Sequence, residues 1–132
     1  MKTNLSKSWL FLIAIFTTNI SSNSQTPYKN SSIVSTWISE EDTNWKLTFT
    51  TNNKCYQYYS NTLIETDTFS ISNTTPQCGI TVPIDKYTNY LQLKNMLSGN
   101  ITCYEINGIT SACLSLRVVD KGGSIVFIRQ IP

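Results

Sequence analysis

The chain has 132 residues, 40% of them hydrophobic and 14% charged, with ten Lys and Arg against eight Asp and Glu. That length suits one domain and excludes two of ordinary size, and a balance that falls to zero once Lys2 and Lys7 go with the leader argues against a charge-driven nucleic-acid or anionic-membrane partner. Histidine is absent, which excludes Ser-His-Asp triads, Cys-His dyads and histidine-ligated zinc together.

In chain order, residues 1–24 read as a signal peptide: Lys2 and Lys7, then the apolar run from Trp9 to Phe16, then a polar stretch with cleavage expected between Ser22 and Gln25. The run is eight residues long, well short of the roughly 20 that a membrane-crossing helix needs. No membrane span is therefore expected after cleavage, and the protein is expected to be secreted or periplasmic. Residues 25–32 read as a flexible N-terminal segment, followed by one folded domain over 33–131.

Within that domain apolar side chains alternate with polar ones, most clearly at Trp45, Leu47 and Phe49 and at Leu114, Leu116 and Val118. Period two means strands with one buried face. The same pattern predicts eight strands, over 33–38, 45–51, 54–60, 66–72, 88–94, 101–107, 112–119 and 125–130. Thr51-Asn52-Asn53, Asn107-Gly108-Ile109-Thr110 and Asp120-Lys121-Gly122-Gly123 supply turn chemistry between them. A short helical turn is conceivable only over 38–44. The expectation is an all-β protein of about eight antiparallel strands in an up-and-down meander, closed as a small barrel because closure removes unpaired edges. The connection from Asn73 to Tyr87 breaks the rhythm with Pro76, Cys78, Gly79 and Pro83, and reads as a lid or a disulfide-pinned strap.

The four cysteines, Cys55, Cys78, Cys103 and Cys113, are an even count in an exported chain with no C-x-x-C pair, which favours disulfides over metal ligands. Three pairings are open in principle. Cys78 lies in the irregular connection, so a bridge to a strand cysteine would pin it there. Cys103 is the preferred partner, and Cys55 and Cys113 then pair or stay free.

Ser35-Thr36-Trp37 at the first strand, Cys55-Tyr56-Gln57-Tyr58-Tyr59, Pro76-Gln77-Cys78-Gly79, Cys103-Tyr104-Glu105-Ile106-Asn107-Gly108-Ile109 and the final Phe127-Ile128-Arg129 together resemble a short lipocalin-like (calycin) domain of the secreted Bacteroidetes type, over roughly residues 33 to 130. The resemblance implies that Trp37 near the barrel's start packs against Arg129 on the last strand. Ser35 stands where that family usually has glycine, a departure that bears on the depth of the cavity.

Trp37, Trp45, Phe49, Tyr56, Tyr58, Phe69, Tyr104 and Phe127 fall at or near strand positions that can point inward. They would line a barrel interior, either as walls for a small apolar ligand or as plain core filling, since eight strands enclose only enough room for side chains or one small ligand. Glu65 and Asp67 share parity with Phe69 and Ile71. Buried unpaired carboxylates are costly, so both are expected in solvent at the rim. The run Glu40-Glu41-Asp42 reads as a solvated turn, because calcium loops space their ligands and carry a sharp-turn glycine. No catalytic residue, metal or cofactor is expected.

The function these residues point to is an exported non-enzymatic lipocalin-like domain that binds a small hydrophobic or amphipathic ligand in its barrel. The alternative is a structural or protein-interaction module, inhibitor-like, with a solid core and binding through loops such as 39–44 or the strap around Cys78.

Overall fold

Alternation builds the wall of the molecule. The computed structural model describes residues 27–132, and the leader expected at 1–24 lies outside the described residues. The strands are β1 (Ser35–Ser39), β2 (Trp45–Phe49), β3 (Lys54–Tyr59), β4 (Thr62–Ser72), β5 (Asn89–Asn95), β6 (Ile101–Ile109), β7 (Cys113–Val118) and β8 (Ile125–Arg129). Each pairs antiparallel with the next, and β8 returns to β1 with Trp37 opposite Arg129 and Ser39 opposite Phe127. The fold is the expected all-β meander closed into a barrel, with no strand edge left unpaired in the ring.

The inward face is apolar. Trp37, Leu47, Phe49, Phe69, Leu91, Leu93, Ile106, Leu114, Leu116 and Phe127 form one cluster, each no more than 5% exposed. Outward positions such as Thr36, Thr48, Thr68 and Ser70 carry hydroxyls. Apolar inside and polar outside is the reverse of a membrane barrel's pattern. Among the described residues no helix is long and apolar enough to cross a membrane.

One end of the barrel is closed by a single 3-10 turn, Asn30–Ile33, whose Ile33 side chain is wholly buried. The Trp37 indole N–H donates to the Ile33 carbonyl at 2.9 Å. Asn30 Oδ1 accepts the Ile71 amide at 2.8 Å while its Nδ2 donates to Asn53 Oδ1, and the Tyr28 hydroxyl accepts the Ile109 amide at 3.1 Å. The 25–32 segment, expected to be flexible, is therefore fastened to β4, β6 and the β2–β3 turn wherever it is described. The opposite end, ringed by the turns after β1, β3, β5 and β7, has no such plug among the described residues.

Three local expectations need correction. The 38–44 stretch holds no helix: after Ser39 it is a turn, with Ser39 Oγ accepting the Asp42 amide and Asp42 Oδ1 accepting the Asn44 amide. β4 begins at Thr62 rather than 66, because a bulge between Gln57 and Tyr58 lets pairing run on to a tight turn where Ser60 and Asn61 both have positive φ. Asn107-Gly108 is not a turn but a bulge inside β6; the turn lies beyond it, where Thr110 Oγ1 accepts the amides of Ala112 and Cys113.

The connection from Asn73 to Thr88 lies against the outside of the wall. The strap is bridged to β6 by the Cys78–Cys103 disulfide, with Cα atoms 5.9 Å apart. Beneath it Tyr90, which points outward from β5, is 1% exposed and donates its hydroxyl to the Pro83 carbonyl at 2.7 Å. It is a pinned strap, not a lid over the barrel's mouth.

Candidate functional site

Six of the eight aromatic residues named from the sequence meet inside the barrel. Trp37, Phe49, Phe69 and Phe127 belong to the core cluster, and Trp45 and Tyr104 pack against it half-buried toward the open end. The rings meet edge to face: Trp45 and Phe127 at 5.1 Å, Phe49 and Phe69 at 5.0 Å. Tyr56 and Tyr58 point the other way. On β3 the buried residue is Cys55, wholly unexposed, so strict alternation sends Tyr56 and Tyr58 to the outer surface, where they sit opposite Thr48 and Lys46. The Arg129 guanidinium stacks on the Trp37 ring at 4.5 Å from its centroid.

Hollows of about 250 to 510 Å³ open on the surface, and none of those mapped is lined by a member of the core cluster. The core cluster draws buried side chains from all eight strands.

Toward the open end the inward positions turn polar. Gln57 of β3 donates its amide to both carboxylates of β4, at 2.6 Å to Glu65 Oε2 and 2.7 Å to Asp67 Oδ2, and Asn95 of β5 donates to Glu65 Oε1 at 2.6 Å. Asp67 is 2% exposed, so the expectation that both carboxylates sit in solvent at the rim is wrong for it. The reason is cross-strand: Gln57 supplies the donor that makes burial tolerable. Burial still dominates and raises the Asp67 carboxyl above the usual range; the Gln57 bond opposes this, and Glu65 adds to the rise. The same environment raises the Cys55 thiol, through burial first and then Asp67 and Glu65. It also raises the Tyr104 phenol, through burial first and then Cys55, Asp67 and Glu65. Chemically this is a pair of carboxylates bridged by one amide, Gln57, with Asp67 as its buried member. Glu40 and Glu41 are exposed, and Asp42 accepts the Tyr59 hydroxyl at 2.9 Å. Cys55 and Cys113, left open as a pair, are both free thiols.

The sequence reading missed an apolar groove on the outer wall. About 510 Å³ in volume, it runs between β3, β4 and the β5–β6 turn, lined by Lys54, Tyr56, Leu63, Ile64, Met96 and Leu97 among others. Leu97 is fully exposed, and Leu63, Ile64 and Met96 are 49%, 59% and 52% exposed. The available signal was the two adjacent apolar pairs, Leu63-Ile64 and Met96-Leu97, set beside turn residues where strand alternation has no use for them.

The fold defines a class, the closed eight-stranded antiparallel up-and-down barrel, which is consistent with a lipocalin-like domain. Comparison with protein-family models, with curated proteins and with solved structures gives no match.

Proposed function

We propose that the chain is an exported, non-enzymatic lipocalin-like barrel that works as an interaction module, binding through its outer face and loops rather than in a deep calyx. The observation that carries this reading is the core cluster: buried side chains from all eight strands gather in one group, and the hollows described above lie outside it. Export is supported by the leader's layout and by a disulfide in a chain of this size.

A second reading keeps a small amphipathic ligand, held shallowly at the open end. It is favoured by Trp45, Tyr104 and Ile125 being only partly buried there, beside the Glu65–Gln57–Asp67 cluster.

Native mass spectrometry of the protein from its own host's export fraction separates the two. The module reading expects the mass of the bare processed chain with one disulfide. An added small-molecule mass that organic solvent removes, and that Trp45→Ala abolishes, would replace it with the second.

A further inference from the structure

The net charge of the mature chain hides a sidedness. On β2, β3, β4 and β5 the outward charged side chains are Lys46, Lys54 and Lys94, whereas the two carboxylates of the same strands, Glu65 and Asp67, are turned inward and held by Gln57 and Asn95. Lysines are thus the outward charges of this wall, and the one carboxylate that reaches its groove, the half-exposed Glu65, is held by amides from the inner side. The apolar groove lies on this wall, with Lys54 in its lining and Lys94 beside Met96 and Leu97 in the adjoining hollow. Single exposed apolar residues are ordinary, but four that share one groove, one of them fully exposed, are not.

We propose that this face docks on an anionic lipid bilayer, with Leu63, Ile64, Met96 and Leu97 entering the interface and Lys54 and Lys94 meeting lipid headgroups. It rests on the module reading above and names that module's partner. Hairpin tips that carry apolar side chains next to lysines combine two weak attractions, apolar burial and attraction to a negative surface, and neither suffices alone. Of the acidic groups near the face, Glu65 is itself in the groove's lining but has its two oxygens taken by the Gln57 and Asn95 amides, and Glu105 on β6 is ion-paired with Arg117. Glu40 and Glu41 stand exposed on the turn after β1, which orients the mouth's β1 side away from the membrane.

The test uses the protein as purified from its host's export fraction, in flotation with phosphatidylcholine vesicles and with equimolar phosphatidylcholine and phosphatidylglycerol vesicles. Binding to the mixed vesicles alone is expected, and it should weaken as salt rises. Two double variants, Ile64→Ser with Leu97→Ser and Lys54→Gln with Lys94→Gln, should each reduce it by roughly tenfold or more with an unchanged near-ultraviolet spectrum. Absence of binding, binding that ignores phosphatidylglycerol, or binding that both variants leave intact would overturn the proposal. So would a dimer in sedimentation that the Leu97 variant dissociates, because the groove would then be covered by a second copy. Only the dimer would alter the native mass, and as a doubling rather than as the added small molecule that would overturn the module reading, so failure here is distinct from failure of that reading.

Discussion

Arg129 lies over the ring of Trp37, 4.5 Å from its centroid, at the seam where β8 closes the barrel on β1. The stack joins the first strand to the last, and the Trp37 indole N–H ties the same seam to the closing turn through the Ile33 carbonyl. Trp37→Ala is therefore expected to cost about 3 to 5 kcal/mol in chemical denaturation, with Arg129→Leu costing about 1 kcal/mol through the lost cation–π contact. Equal, near-neutral effects would mean that the seam is held elsewhere.

The disulfide closes a loop of 25 residues from strap to wall. Reduction, or Cys78→Ser, should lower stability by about 3 kcal/mol and speed amide exchange across 73–87 while leaving tryptophan emission unchanged. A melting temperature indifferent to reductant would contradict that.

Asp67 gives a pH dependence of definite sign. Its carboxyl is raised in the fold, so between its unfolded value of about 3.9 and its higher folded one the native state binds more protons than the unfolded chain. Its contribution to stability is thus favourable below that window and is lost as pH rises through it, leaving the ionised, buried carboxylate as a cost at neutral pH. Asp67→Asn, which keeps an acceptor for Gln57, should be at least as stable as the wild type at pH 7 and should lose this part of the acid-side slope. Denaturation at pH 4, 5.5 and 7 checks it; a variant clearly less stable at pH 7 would reverse the argument.

The two free thiols should separate in reactivity. Cys55 is wholly buried and its thiol is raised, whereas Cys113 is part-exposed. Iodoacetamide on the native protein should label Cys113 and spare Cys55 until denaturant is added, as read by peptide mapping.

Much of this architecture was legible because a strand's inward face announces itself when it is apolar: Trp45-Leu47-Phe49 and Leu114-Leu116 fix both the strands and their facing. The third strand misled for the same reason. Its large aromatic residues, Tyr56 and Tyr58, suggested the interior, but the inward positions belong to Cys55 and Gln57, one small and one polar, and Gln57 is needed there to bind Glu65 and Asp67. That need arises from a neighbouring strand and leaves no trace in the alternation of β3 itself. The closing turn was hidden similarly, since Tyr28 finds its partner at Ile109, 81 residues away. The strap's disulfide could be anticipated from Cys78 standing alone in an irregular stretch, but its position outside the wall depends on Tyr90, an outward aromatic that only a covering segment explains.

The central claim is that the interior is filled and that apolar binding belongs to the outer face. Methyl NMR under xenon pressure tests it most directly, because xenon enters dry apolar cavities. The account predicts no saturable shift at the inward Leu47, Leu91, Leu114 and Leu116. Saturable shifts at those inward leucines would reveal an open calyx and contradict it.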